Sequence, residues 1–200
     1  MSINLQKGQK INLTKADGSK LTKLLVGLGW DAAKKEGGFF SSIFSSKKDI
    51  DCDASVIMCQ NGRLSSREDD IVYFGNLEHK SGAVKHLGDN LTGEGEGDDE
   101  QIEIDLERIP ASYDKLIFVV NIYKAVERQQ HFGMIANAFI RIVDGTTGEE
   151  LCKYNLTDKY DGKLAMVVGE VYKKNGEWKF NAIGQGTEDT GLKTLSDRFI

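Results

Sequence analysis

Thirteen consecutive residues concentrate the chemistry of this chain: Gly88-Asp89-Asn90-Leu91-Thr92-Gly93-Glu94-Gly95-Glu96-Gly97-Asp98-Asp99-Glu100. Six are carboxylates, four are glycines, one is apolar, and none is Lys or Arg. Glycine-rich backbone can curl until carbonyls and side chains converge. Carboxylates gathered without a basic neighbour repel one another unless water or a cation intervenes. Hard oxygens on a sharply curved loop suit Ca²⁺, which takes about 6–8 of them in loose geometry, whereas Mg²⁺ keeps its waters and demands a rigid octahedron. A solvated acidic hairpin loop is the competing reading.

A second acidic group, Asp49-Ile50-Asp51-Cys52-Asp53-Ala54-Ser55, bears on that choice. Alternate residues of a strand share a face, so Asp49, Asp51 and Asp53 are expected on one side, with Ile50, Cys52 and Ala54 on the other. Three stacked carboxylates are unfavourable without a counter-charge, unless the strand end dips into water. Asp31 follows a Gly29-Trp30 corner. Asp31, Asp51, Asp53, Asp89, Asp98, Asp99 and Glu100 together offer seven carboxylates, beside Asn90, Thr92 and the glycine carbonyls. One dication would leave strong repulsion among them; two adjacent ions would bring the formal charge from −5 to −1. An EF-hand does not fit. With Asp89 as the first loop position and Glu100 as the twelfth, the third, fifth and sixth fall on Leu91, Gly93 and Glu94, without the required glycine or acidic spacing.

Other chemistries fit less well. Paired carboxylates can serve two-metal hydrolysis, so an Mg²⁺- or Mn²⁺-dependent phosphoester hydrolase is the alternative function. Of the three histidines, His79, His86 and His131, only His86 lies near the acidic loop, and it reads as a structural hydrogen-bonding residue. No GxSxG nucleophile motif occurs. The Gly-x-Gly-x-Gly run is too acidic to cradle phosphate. Cys52, Cys59 and Cys152 share no CxxC spacing and read as reduced, buried thiols. Asp51 and Asp53 flank Cys52 and should disfavour its thiolate.

The elements that must hold these residues are mostly strands. The 200 residues read as one domain, 1–200, with ordinary hydrophobic (40%) and charged (28%) fractions, 22 glycines for turns and a single proline. Strands are expected at 10–13, 23–30, 49–59, 70–75, 83–87, 102–106, 115–125, 138–143, 150–156, 165–172 and 177–183. Lys115 to Ala125 is the most hydrophobic and reads as central. Asn61-Gly62 and Asn175-Gly176 are hairpin signals. Residues 32–48 read as a loop whose Phe39, Phe40, Ile43 and Phe44 form either a lid on the core, the favoured reading, or an exposed contact patch. Val126 to Asn137 has room for a helical turn, and Thr190 to Phe199 for a closing helix with Leu192, Leu195 and Phe199 on one side. Short strands, many turns and few helices predict a mainly β fold, a β-sandwich of two antiparallel sheets. The net charge of −5 disfavours nucleic acid and anionic membrane surfaces as partners. With no apolar run of about 18 residues and no signal-peptide pattern at Met1-Ser2-Ile3-Asn4, a cytoplasmic location without membrane insertion is expected.

Several blocks, in order, resemble the TerD family, the tellurium-resistance and general-stress proteins of bacteria. They are KGQKINLTK, LLVGLGWD, DIDCDAS, VKHLGDNLTGEGEGDDE, LIFVVNIYKA, NAFIRIVD and GEWKFNAIGQG, spanning nearly the whole chain. The resemblance implies a calcium-binding β-sandwich, a role in resistance to tellurite and related stress, no enzymatic activity, and other stress-resistance proteins or a membrane-associated complex as partners. Carried over residue by residue, it implies metal ligands among Asp31, Asp51 and Asp53, and among Asp89, Asn90, Thr92, Gly93, Gly97, Asp98, Asp99 and Glu100. Where such proteins usually read Ile-His-Asp-Ala, this chain has Ile122-Tyr123-Lys124-Ala125.

Overall fold

A computed structural model describes residues 2–15, 17–32, 50–88 and 97–200. Asp49, the aromatic cluster at 39–44, and Asp89, Asn90, Thr92 and Gly93 lie outside the described residues.

The strands build two six-stranded sheets. In the first, β1 (Ile3–Leu5), β10 (Glu150–Asn155), β9 (Ile135–Asp144), β3 (Lys23–Ala32), β7 (Glu100–Asp105) and β6 (Val84–His86) lie side by side in that order. The second runs β2 (Lys10–Asn12), β12 (Glu177–Thr187), β11 (Ala165–Lys174), β8 (Lys115–Ile122), β4 (Cys52–Cys59) and β5 (Ile71–Val72). Among the described residues there are three short α-helices, α1 (Arg67–Asp70), α2 (Ala125–Arg128) and α3 (Leu192–Ser196), and two 3₁₀ turns at Phe132–Met134 and Asp197–Phe199. The expected sandwich is therefore present, and β8 holds the central place that its hydrophobicity predicts.

Alternation assigns the faces. Leu24, Val26 and Leu28 of β3, Ile140 and Ile142 of β9, and Cys52, Ala54, Val56 and Met58 of β4 meet Phe118 and Phe180 in the core between the sheets. Ile57, Cys59, Ile117, Val119 and Val167 point from the second sheet to its other side. There Leu195, Leu192 and Phe199 of the C-terminal segment cover them in a separate apolar cluster. Strands buried on both faces read as continuous apolar runs, which is why β4 and β8 show so little alternation. The turns Asn61-Gly62 (φ 53° and 75°) and Asn175-Gly176 (φ 54° and 80°) take the left-handed pair that a tight hairpin turn needs.

Three details depart from expectation. Ile3–Leu5 forms a strand too short to be conspicuous, and it pairs with β10 in parallel. Only Ile71 and Val72 of the expected 70–75 strand pair with β4, because Asp70 closes α1 instead. Ser66 Oγ caps that helix by accepting the Asp69 N–H, and Asn76 Nδ2 donates to the Ile71 carbonyl, turning the chain away. Gly29 and Asp31 straddle a bulge in the β3–β9 pairing.

Candidate metal centre

The bulge is where the acidic residues begin to assemble. It leaves Trp30 without a partner in the β9 register, and its N–H donates to Asp99 Oδ2 at 2.7 Å. The Asp99 N–H donates in turn to the Leu28 carbonyl at 2.8 Å. The C-terminal arm of the glycine-rich loop is thus fastened along the end of β3. Asp31, one residue on, is exposed and accepts from Asn137 Nδ2 at 2.8 Å.

The two glycines of Gly27-Leu28-Gly29-Trp30 make room for that arm. Both face the outside of the first sheet. A Cβ on Gly27 would lie 2.2 Å from an Asp98 carboxylate oxygen, and one on Gly29 would lie 2.7 Å from the Gly97 carbonyl oxygen and 2.5 Å from the Phe139 ring. No side chain fits at either position. Asp98 is held over Gly27 by Arg141, whose Nε and Nη2 donate to its two oxygens at 2.7 and 2.9 Å, while Gln101 Nε2 donates at 3.0 Å. Two parallel N–H bonds between a guanidinium and a carboxylate form a strong, geometrically specific pair.

Glu100 turns inward. It is 2% exposed and joins the sheets: the β4–β5 pairing stops at Val56, and the Ala54 N–H donates to Glu100 Oε2 at 2.7 Å. His86 Nε2 lies 3.3 Å from the same oxygen. Asp53 lies on the other face of β4, and Asp51 just before that strand. Asn121, directly opposite Asp53 in the β4–β8 register, donates to Asp53 Oδ2 at 3.1 Å, and Arg128 of α2 reaches Asp51 Oδ2 at 3.4 Å. Both aspartates are buried, at 6% and 8% exposure, so this strand end does not dip into water.

The charges of these groups act on one another. Burial pushes the Cys52 thiol far above its usual range, and Asp53, Glu100, Asp51 and Asp99 push it the same way. Burial raises the Asp99 carboxyl too, with Asp31 and Asp98 adding to the shift and the Trp30 N–H opposing it. The carboxylates behind these shifts are Asp31 near the end of β3, Asp51 and Asp53 around the start of β4, and Asp98, Asp99 and Glu100 around the start of β7. Among the described residues, no three acidic, His or Cys side chains are grouped closely enough to hold an ion alone.

Sequence reasoning located these carboxylates but missed Arg141, Asn121 and Arg128. The register brings those three residues in from strands and a helix far away in the sequence, and nothing in their local sequence marks them. All three cysteines are free and buried, and burial pushes Cys59 and Cys152 up to about 12. A thiol-based chemistry has no reactive thiolate here. Among the described residues, no helix is long and apolar enough to cross a membrane.

Comparison with known proteins extends over the whole length. The family model described as the TerD domain matches residues 1–199. The chain is 52% identical to the stress response protein SCP2 of Bacillus subtilis (strain 168), covering 100% of both sequences. It is 43% identical to the tellurium resistance protein TerD of Serratia marcescens, over 93% of this chain and 91% of that one. The crystal structure of a homologue of telluride resistance protein (TerD) from Streptomyces coelicolor A3(2) superposes with a TM-score of 0.60 at 21% identity, covering 84% of this chain and 92% of the other, which establishes likeness of fold.

Proposed function

The chain belongs to the TerD domain family, and we propose that it acts within the stress and tellurium-resistance setting of that family as a non-enzymatic calcium-binding protein. The observation that supports this reading is that Asp51, Asp53, Asp99 and Glu100 all act on Cys52 and Asp31 acts on Asp99, in a chain whose sequence adds Asp89, Asn90 and Thr92 between Gly88 and Gly97. The donor chemistry fits a hard dication. Carboxylate, amide and hydroxyl oxygens are abundant, and a backbone carbonyl at Gly97 is brought close by the glycine at 29.

Each residue then has its own task. Asp99 and Asp31 present oxygens from the loop arm and the end of β3. Asp53 of β4 and Asp51 just before it do so too, with Asn121 and Arg128 fixing their orientation. Glu100 ties the two sheets together at the site. Asp98 anchors the arm through Arg141. Calcium would add positive charge beyond that of Arg128 and Arg141, and the number of carboxylates favours two adjacent ions. Folding and metal binding are then linked, because only the folded chain presents the donors together. The setting is the cytoplasm, and the partners are other stress-resistance proteins or a membrane-associated complex that recognise the metal-ordered surface. No described residue pattern favours the phosphoester hydrolase: His86 is committed to the buried Glu100, and the acidic surroundings repel a phosphate group.

Calorimetric titration of the full chain with CaCl₂, paired with melting curves in calcium and in chelator, tests the proposal. Saturable binding with a stoichiometry near two and a melting temperature several degrees higher in calcium are expected; at 100 times Kd a single site adds about 2.7 kcal/mol. Absence of binding heat together with identical melts overturns it.

A further inference from the structure

Beside the acidic end, the outer face of the first sheet opens into a cleft of about 860 Å³. That volume lies within the range of small-molecule sites. Its floor is apolar, formed by Phe139, Leu156 and the flank of Trp30, and its walls carry Asn137, Asn155 and Lys153. Asn137 and Asn155 are exposed; Asn155 offers its amide to a ligand, while the Asn137 amide N–H donates to Asp31.

Lys153 gives the cleft its sign. Its ammonium lies over the Phe139 ring, 3.6 Å from the centroid. The β9–β10 register sets Lys153 directly opposite Arg141, and like charges opposed across a sheet are unfavourable. Arg141 is compensated by Asp98 at 2.7 Å and Glu150 at 3.3 Å. For Lys153, no carboxylate lies within ion-pair distance among the described residues; the ring face positions its charge without neutralising it. In a chain with formal charge −5, an ammonium held over an aromatic plate at the edge of a cleft, with no ion pair among the described residues, is a ready counter-charge.

We infer that this cleft binds a small organic anion, its oxyanion group on Lys153 and the Asn155 amide and its apolar body against Phe139 and Leu156. Asp31 also lines the cleft, hydrogen-bonded to Asn137, and its negative charge repels such a ligand unless a cation offsets it. Calcium held there would remove that repulsion, so the anion and the metal should strengthen each other's binding; this coupling alone rests on the calcium reading.

The test uses the full chain with phenyl phosphate, benzoate and inorganic phosphate, each titrated in calcium and in chelator and followed by amide chemical shifts. Phenyl phosphate or benzoate is expected to saturate with shifts centred on Lys153, Asn155 and Phe139, and the stronger of the two identifies the head group. Inorganic phosphate should bind more weakly, since it leaves the apolar floor uncovered. Lys153→Gln should reduce the affinity at least about tenfold, the scale of one lost charge-assisted contact, with an unchanged circular dichroism spectrum. Lack of saturation by both organic anions, or equal affinity in Lys153→Gln, overturns the cleft. Lys153-dependent binding that is the same in calcium and chelator upholds the cleft and overturns only the coupling to the metal.

Discussion

Asp99 is a carboxylate set where its own charge is unfavourable. Burial and the neighbouring Asp31 and Asp98 push its carboxyl above the ordinary range, although the Trp30 N–H donates to it. A raised carboxylate pKa means that the ionised form is penalised in the fold, and the penalty is present at neutral pH and relieved as the pH falls. Replacing the charge by an amide removes the penalty while keeping an oxygen for Trp30. Asp99→Asn is therefore expected to melt at or above the wild-type temperature in chelator, yet to lose about tenfold or more in calcium affinity and most of its calcium-induced rise in melting temperature. A variant less stable in chelator with an unchanged calcium response would show that Asp99 is only a structural acceptor. Cys52 illustrates the same field from the other side. Its inertness was legible in the Asp-Cys-Asp triplet, because neighbours along a strand are fixed by sequence. The Arg141–Asp98 pair was not legible, since it depends on which strands lie side by side.

At the level of elements, the end of β3 organises the centre. Gly27 and Gly29 leave the outer face of that strand bare, the bulge after Gly29 releases the Trp30 N–H, and the loop arm settles into the space. Gly27→Ala touches no proposed donor, yet its Cβ would stand 2.2 Å from the Asp98 carboxylate and must displace the Arg141 pair. A loss of about 1–3 kcal/mol in stability is expected, the usual cost of forcing a methyl into filled space, together with weaker calcium binding as the arm shifts. In an Asp98→Ala background the same substitution should cost much less, and this coupling is what a double-mutant cycle measures. Additive costs would mean that Gly27 and Asp98 do not meet. The strands themselves were largely readable, because hydrophobic runs, alternation and Asn-Gly turns are local signals. What could not be read was irregular: β1, a parallel pair of three residues; α1, where a capping serine overrode a strand-like run at Asp70; and the bulge. The glycines of Gly-Leu-Gly-Trp marked a close approach in the sequence without naming what approaches.

For the whole molecule, the two sheets and the C-terminal segment form three layers, and the buried polar groups that stitch them together set how stability responds to pH. Glu100 does this at the acidic end. On the other side of the sandwich, His79 is 1% exposed, with Nδ1 2.7 Å from Ser81 Oγ and Nε2 3.7 Å from Asp70 Oδ1, while the Tyr113 hydroxyl donates to Asp70 at 2.6 Å. Burial pushes the Tyr113 hydroxyl up to about 12, so it remains a donor throughout the physiological range. Burial also lowers the imidazole pKa; Lys80 adds to the shift, and Asp70 and Asp69 oppose it without reversing it. In the unfolded chain His79 takes up a proton near pH 6.5, whereas in the fold it does so only at lower pH. Between those two values the unfolded state binds more protons, so stability falls as the pH falls. Above about pH 7.5 the contribution of His79 is flat. In chelator at constant ionic strength, the melting temperature of the wild type is expected to decline between about pH 7 and 5.5 relative to His79→Asn, which keeps a hydrogen-bonding side chain beside Ser81 but cannot titrate. The difference between the two curves isolates His79 from the carboxylates, whose shifts are common to both proteins. Parallel curves across that window would place the pH sensitivity of the fold elsewhere.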